Sequence, residues 1–224
     1  MKGKFIVIDG TDGSGKATQT SKLVEHLKKE GLQVRVADFP QYGLKSAGMV
    51  EDYLNGKFGT ADEVTPKQAS IFYAIDRYAA AKKIKKWISE GKIVIANRYT
   101  SSNMGHQTCK LKSKQEMNEF LEWLEELEFN IFKIPKPDMT LILYIPPSKN
   151  QELVDQKGHR KYLNGEKRDI HEADLNHLRN ASEAYKYCAK KYNWPIIDCT
   201  KNEKLMSIEE VHELVWNKIK EIIK

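Results

Sequence analysis

The feature that most constrains the fold lies near the start of the chain, where a short apolar run leads into a glycine-rich turn. Residues 5–9 are apolar up to a final aspartate, which predicts a buried strand. The turn that follows reads Gly-x-x-x-x-Gly-Lys over residues 10–16, and a helical pattern comes directly after it. A strand, this turn and a helix in that order are typical of a phosphate-binding loop.

Glycine and lysine at these positions suit phosphate for separate physical reasons. Three glycines permit the left-handed or crowded backbone that lets successive amides face one concavity, and Lys16 adds a mobile positive charge. The amides expected to face the phosphates are those of residues 13–16. The candidate ATP-binding residues are Gly10, Thr11, Asp12, Gly13, Ser14, Gly15, Lys16, Ala17 and Thr18. The alternative is a glycine-rich strand–helix connection with a solvated lysine.

Composition places the chain among soluble globular proteins. Its 224 residues fit one α/β domain over 1–224, with 40% hydrophobic and 30% charged residues. No apolar stretch reaches the length of a membrane span, and residues 1–15 lack the layout of a signal peptide. Three cysteines at unrelated spacings indicate neither a disulfide framework nor a metal site, so we expect a reduced, cytoplasmic setting and no membrane partner.

The net charge of +6 raises the question of nucleic-acid binding. Lysines and glutamates are interspersed along most predicted helices, for example over residues 82–86 and 122–128, which is typical of solvated faces. We therefore expect no nucleic-acid partner. Excess positive charge also suits a site for two phosphorylated substrates.

Strand and helix patterns alternate along the chain, which predicts a three-layer α/β/α fold with a five-stranded parallel sheet. The predicted strands are 5–9, 33–39, 93–97, 140–145 and 196–198. The predicted helices are 18–30, 66–90, 114–130, 172–192 and 207–223. Ser113 with Glu116, and Ser207 with Glu210, have the spacing of capping boxes. The polar segment of about 147–170 is interpreted as a short lid insertion over the phosphates, or alternatively as a surface loop.

A second set of residues lies where the strand ends are expected to converge on the phosphate loop. Phe39 and Tyr42 follow the second strand, and Arg98 follows the third. Tyr73 and Arg77 are four residues apart and share one face of a predicted helix. Aromatic faces, two arginines and a short amide are the parts needed to bind a nucleotide base and its phosphate.

With these motifs in order, nearly the whole chain resembles the thymidylate kinase family, whose members phosphorylate dTMP to dTDP. The resemblance runs from the phosphate loop through Phe39-Pro40 and the helix carrying Tyr73 and Arg77. It continues through residues 91–107, through Pro137-Asp138-Met139-Thr140 and through the lid. It implies ATP as phosphoryl donor, Mg²⁺ as cofactor, dTMP as acceptor and a homodimer, for which helices 66–90 and 114–130 could supply an interface.

The resemblance assigns roles around the acceptor. Asp12 matches the carboxylate that contacts the sugar 3′-hydroxyl, and Arg98 matches the arginine that binds the acceptor phosphate. Tyr73 matches the aromatic residue that stacks on thymine, where phenylalanine is frequent. Arg77 matches the residue that donates to the pyrimidine carbonyl.

Three further positions concern selectivity for the acceptor. Ser102 and Asn103 match positions that read the edge of the base, and an amide can pair with the N3 side of thymine. His106 stands where Tyr or Phe often packs near C2′ and disfavours ribose. This departure puts the rejection of ribonucleotides in question.

The family takes a catalytic arginine from either the phosphate loop or the lid. Gly13 occupies the loop position, so we expect the arginine to come from the lid. Arg160 and Arg168 are the candidates, with Lys161 and Lys167 as weaker ones, and the catalytic set is then Lys16, Asp12, Arg98 and one of these arginines. Such an arginine would stabilise charge on the transferred phosphoryl group.

Two substitutions affect the metal. Ala17 stands where a hydroxyl residue usually coordinates magnesium, and Asn97 stands where the family usually has an aspartate that holds it through water. No protein ligand is therefore assigned, and we expect phosphates and water to hold Mg²⁺. A kinase for another acceptor such as dUMP, and a nucleotide-binding module that has lost catalysis, remain alternatives to a dTMP kinase.

Overall fold

In the computed structural model, which describes residues 3–147, 149 and 175–223, a five-stranded parallel sheet forms the centre of the molecule. Its strands are β1 (Lys4–Gly10), β2 (Val34–Asp38), β3 (Ile93–Asn97), β4 (Met139–Tyr144) and β5 (Ile196–Asp198). They run in the order β2-β3-β1-β4-β5, so the strand before the phosphate loop is central. A separate antiparallel pair follows the sheet, formed by β6 (Thr200–Lys201) and β7 (Lys204–Leu205).

Helices cover both faces of the sheet. They are α1 (Lys16–Lys29), α2 (Gly48–Leu54), α3 (Pro66–Ser89), α4 (Thr100–Thr108), α5 (Lys114–Glu125), α6 (Leu175–Tyr192) and α7 (Ile208–Ile223). A 3₁₀ turn at Lys45–Ala47 precedes α2, and a π-helical segment at Glu126–Ile131 extends α5. No helix in the described ranges is both long and apolar enough to cross a membrane.

The alternation of side chains along β1 divides the core into two halves. Ile6 and Ile8 face α1 and α7, where they pack with residues such as Leu23 and Val215. Phe5 and Val7 face the other side and pack with residues of α3 and β3. A central parallel strand buried on both faces is apolar throughout for this reason.

The predicted five-stranded parallel sheet is confirmed, and each predicted strand lies within one or two residues of an observed one. Both predicted capping boxes form: Ser113 with Glu116, and Ser207 with Glu210. The sequence patterns missed α2, α4 and the β6–β7 pair. Residues 100–108 are small and polar, and they form a helix because tertiary contacts outweigh their weak helical propensity.

The predicted helix 114–130 is wrong in its last turn. The α-helical pattern ends at Glu125, and from there the hydrogen bonds widen, with the Phe132 amide donating to the Leu127 carbonyl at 2.9 Å. The spacing of apolar residues is similar in the two helical forms, so periodicity could not separate them. The π-helical segment carries Glu128, whose side chain is fully buried.

Glu128 is buried because it forms an ion pair with Arg77 of α3. The Arg77 Nε donates to Glu128 Oε2 at 2.7 Å, and Nη2 donates to Oε1 at 2.5 Å. The Nη1 of the same guanidinium donates to the Tyr99 carbonyl at 3.3 Å. A two-pronged contact of this kind compensates two buried charges and fixes α3 against the π-helical segment.

We expect Glu128→Gln to destabilise the protein strongly, because the Arg77 charge then stays buried without its counter-charge. The free energy of unfolding should fall by about 3–5 kcal/mol. The control is Glu209→Gln, which removes one partner of the exposed Lys22–Glu209 pair and should cost less than about 1 kcal/mol. Urea denaturation measures both variants, and equal losses would contradict the importance given to the buried pair.

Candidate functional site

The glycine-rich turn lies at the carboxyl end of β1, the central strand of the sheet. Gly10, Gly13 and Gly15 all have positive φ angles, of 138°, 80° and 82°. A side chain at position 10 would also lie 2.2 Å from the Leu143 carbonyl oxygen of β4. The predicted need for glycine is thus met for two reasons, backbone conformation and close approach of a neighbouring strand.

Lys16 is the first residue of α1 and is buried, with 7% of its surface exposed. Its Nζ donates to the carbonyl of Thr11 at 2.7 Å, so the ammonium group is held across the loop. The Ser14 amide donates to the same carbonyl at 3.2 Å. This amide was expected to face phosphate; here it closes a turn inside the loop, and its contact with phosphate stays a prediction.

A buried carboxylate just before the loop was missed by the sequence analysis. Asp9 accepts hydrogen bonds from the Ser101 hydroxyl at 2.5 Å, the Ser102 hydroxyl at 2.9 Å and the Tyr185 hydroxyl at 2.9 Å. It also accepts from the Gly10 amide at 2.8 Å. Asp9 therefore joins the phosphate loop to α4 and α6. The only sequence signal for Asp9 was its place as a polar residue at the end of an apolar run.

Two predicted site residues, Asp12 and Arg98, meet in the crevice. The Arg98 Nη2 donates to Asp12 Oδ1 at 2.7 Å, and both side chains are mostly buried. Arg98 has a left-handed backbone with φ of 64°, which is uncommon for a residue with a side chain. This conformation turns the chain sharply between β3 and α4. Non-glycine residues in such conformations concentrate at functional sites.

His106 contacts a different nitrogen of the Arg98 guanidinium from the one that Asp12 contacts. Its Nε2 is 3.3 Å from Arg98 Nη1, and its ring meets the Tyr185 ring edge to face with centroids 5.6 Å apart. Burial, followed by the positive charge of Arg98, lowers the pKa of His106 well below its usual range. The imidazole is therefore neutral at physiological pH.

The ends of β2 and β3 place Asp38 beside Asn97. The two residues are partners in the parallel register, and Asn97 Nδ2 donates to Asp38 Oδ1 at 2.8 Å. The Oδ1 atom of Asn97 is buried and has no hydrogen-bond partner among the described residues. Desolvation raises the pKa of Asp38, and the Asn97 amide, Arg98 and Lys16 oppose this rise without cancelling it.

The predicted aromatic residues have different environments. Phe39 is buried and packs on the Tyr99 ring at 5.6 Å, while Tyr42 is exposed. Tyr73 is partly buried and meets the Tyr53 ring edge to face at 6.2 Å. Their contacts with an acceptor stay predictions.

The loop that carries Phe39 and Tyr42 is held by Asp76 of α3, a second residue that the sequence analysis missed. The Asp76 carboxylate accepts from the Gln41 amide at 2.8 Å and from the Ser46 hydroxyl at 2.6 Å. Asp76 directly precedes Arg77, and the sequence motifs predicted a role only for Arg77.

Three residues expected to read the base are engaged with the protein itself. Arg77 is only 2% exposed and pairs with Glu128, so the structure does not bring it into the open crevice. The Ser102 hydroxyl donates to Asp9, and Asn103 Nδ2 donates to the Ser70 carbonyl at 3.2 Å. Base recognition by these residues stays a prediction, and the geometry favours it least for Arg77.

The predicted lid lies outside the described residues apart from Pro147 and Lys149. The arginine candidates Arg160 and Arg168 are among the residues not described, as are Lys161 and Lys167. In the loop itself, Ala17 and Thr18 are exposed at the start of α1.

Known proteins match this chain in sequence and in fold. The family model described as thymidylate kinase matches residues 8–215. Human thymidylate kinase is 27% identical over 217 residues, covering 95% of this chain and 87% of the relative. A relative from Pyrobaculum aerophilum is 30% identical over 221 residues, covering 98% of each. The solved structure of thymidylate kinase from Candida albicans has the same fold, with a TM-score of 0.72 at 22% identity, covering 98% of this chain and 92% of that one.

Proposed function

Because the chain belongs to the thymidylate kinase family, we propose that its crevice transfers the γ-phosphoryl group of ATP to dTMP, giving dTDP and ADP. An oxygen of the dTMP phosphate attacks the γ-phosphorus. The bond to the bridging oxygen between the β- and γ-phosphates breaks, and that oxygen keeps the electron pair as ADP leaves. The acceptor is already an oxyanion, so no general base is required.

The observation that carries the assignment is the placement of two cations at one edge of the sheet. Lys16 follows β1 through the loop, and Arg98 follows the adjacent strand β3. We assign the β- and γ-phosphates of ATP to the loop and Lys16, and the acceptor phosphate to Arg98. The two reacting groups then approach each other across the Asp12–Arg98 contact, and alignment with charge neutralisation lowers the barrier.

The remaining roles follow from the family resemblance. Asp12 would contact the sugar 3′-hydroxyl, Tyr73 would stack on thymine, and a lid arginine, Arg160 or Arg168, would stabilise the transferred group. Asp12 is well placed for its role because it already contacts Arg98.

A panel of monophosphates tests the proposal. With ATP and Mg²⁺, ADP release should be fast with dTMP and at least about tenfold slower with dUMP, UMP, CMP and AMP, because the methyl group and sugar each contribute to binding. Lys16→Ala should abolish turnover while dTMP binding, measured by calorimetry, stays close to that of the wild type. The matched control is Lys22→Ala, on the exposed side of the same helix, which should keep full activity. Normal turnover by Lys16→Ala would contradict the loop assignment.

The residues present fit a magnesium ion held mainly by phosphate and water. Ala17 offers no oxygen, but the Asp38–Asn97 pair presents a carboxylate and a buried amide oxygen without a partner among the described residues. Desolvation raises the pKa of Asp38, so a nearby cation would stabilise the ionised form of this carboxylate. We propose that Asp38 on β2 would help to hold the hydrated cation, in place of the aspartate that the family usually has at position 97. Bound magnesium would neutralise charge on the phosphates.

Asp38→Asn is expected to weaken metal binding by about tenfold, as is typical when a residue that contacts a metal through water is lost. The measurement is the affinity of Mn²⁺ for the complex of the protein with a non-hydrolysable ATP analogue, and electron paramagnetic resonance detects the binding. Asp52→Asn, which affects an exposed pair with Lys57, is the control and should bind Mn²⁺ like the wild type. Unchanged Mn²⁺ affinity in Asp38→Asn would exclude this role.

We also propose a homodimer formed through α3. Ile71, Ile75 and Tyr78 lie on one side of this helix and are 39%, 42% and 57% exposed. The ring of Tyr78 contacts Phe132 at 5.1 Å, next to Ile131, which is also exposed. A second copy of the chain, packed on the same face, would cover this apolar surface.

A cytoplasmic location fits the buried thiols Cys188 and Cys199, whose pKa values burial raises to about 12.

Sedimentation equilibrium should give twice the chain mass of 25.8 kDa at micromolar concentration. Ile75→Asp places a charge on the proposed interface and should shift the protein to monomers. Leu214→Asp, at an exposed apolar position of α7, is the control and should leave the dimer intact. A monomeric wild type, or equal behaviour of the two variants, would contradict the interface.

A further inference from the structure

A line of polar contacts runs from Arg98 away from the phosphate loop and reaches α6. It passes from Arg98 to His106, from His106 to His177 of α6, and from His177 to Cys109. His106 and His177 are both buried. Neither His177 nor Cys109 belongs to a motif identified in the sequence, yet His106 links both of them to the acceptor arginine.

Arg98 fixes the protonation of the first imidazole. A guanidinium can only donate, so His106 Nε2, 3.3 Å from Arg98 Nη1, must accept. His106 is neutral, as shown above, and a neutral imidazole with an accepting Nε2 carries its proton on Nδ1. The direction of the next contact follows from this.

His106 Nδ1 lies 3.4 Å from His177 Nε2, with the ring planes 13° apart and the centroids 5.6 Å apart. The nitrogens are much closer than the centroids, so the rings meet through their edges and not through their faces. His106 Nδ1 therefore donates to His177 Nε2. The outer nitrogen of His177, Nδ1, then carries a proton and faces Cys109 Sγ at 3.6 Å.

The line ends at Cys109, the residue that directly follows α4. The Cys109 thiol donates to the His106 carbonyl at 3.1 Å, so its sulfur can accept from His177. Every contact in the series then has one donor and one acceptor. The ring of His106 is held at one nitrogen by Arg98 and at the other by His177.

The packing of α6 on α4 supports this arrangement. A side chain at Gly105 would lie 2.5 Å from the Tyr185 ring, so glycine there lets α6 approach α4 closely. Tyr185 and His177 belong to the same helix, and Tyr185 also contacts His106 and Asp9. The helix α6 thus supports the acceptor side of the crevice at two points.

From this geometry we infer that His177 is a positioning residue for the acceptor phosphate: it accepts the Nδ1 proton of His106 and so directs the His106 Nε2 lone pair at Arg98. The inference rests on the proposed function, in which Arg98 binds the dTMP phosphate. Loss of the His177 acceptor removes the contact that sets the tautomer of His106. The Arg98 guanidinium then loses the oriented acceptor beside its Nη1.

Two variants of similar size separate positioning from packing. His177→Leu removes the acceptor, and we expect the KM for dTMP to rise about tenfold, the scale of one hydrogen bond to a charged group, with the KM for ATP unchanged. His177→Gln keeps an amide oxygen near the position of Nε2 and should stay within about twofold of the wild type. Equal KM values for dTMP in both variants, or equal rises for dTMP and ATP, would overturn the inference.

The tautomer of His106 is a readout that does not depend on either variant or on turnover. In wild-type protein labelled with ¹⁵N-histidine, His106 should show a protonated Nδ1 and an unprotonated Nε2 by NMR. A proton on Nε2 would overturn the inference. If the wild type failed to phosphorylate dTMP, the proposed function would fall, and the same spectrum together with dTMP binding by calorimetry would still decide the role of His177.

Discussion

The architecture of the crevice depends on one buried carboxylate, Asp9, at the carboxyl end of the central strand. A carboxylate removed from water is costly unless donors replace its hydration. Asp9 receives four such donors, three of them hydroxyl groups from α4 and α6 and one the Gly10 amide. These hydrogen bonds bring the beginning of the phosphate loop, α4 and α6 together at Asp9.

The sequence could predict those parts of the fold that depend on local pattern. The apolar run before Gly10 and the loop itself were recognisable because strand periodicity and glycine spacing are properties of neighbouring residues. The helix α4 could not be recognised, because its small polar residues take helical form only through contacts with Asp9, with Ser70 and with α6. The predicted proximity of Asp12 and Arg98 required only that adjacent parallel strands end at one edge of the sheet.

Residue types alone were less informative about charged side chains in the interior. Arg77 on α3 looked available for a ligand, yet its partner Glu128 lies 51 residues away in a segment predicted to be ordinary helix. No local pattern links the two positions. Sequence spacing likewise could not show the neighbour of Asn97, which the strand register gives as Asp38 of β2.

Both cations of the crevice contact acceptors of the protein itself. Lys16 donates to a loop carbonyl, and Arg98 pairs with Asp12, so both cations have hydrogen-bond acceptors within the protein. A dianionic phosphate offers stronger charge-assisted hydrogen bonds than a carbonyl or one carboxylate oxygen, and it can displace these contacts. His106 contacts Arg98 at Nη1 and Asp12 contacts it at Nη2, so the guanidinium is oriented through two of its nitrogens. Orientation fixed before the substrates arrive reduces the ordering that binding must bring about, and this makes the crevice suited to aligning two phosphates.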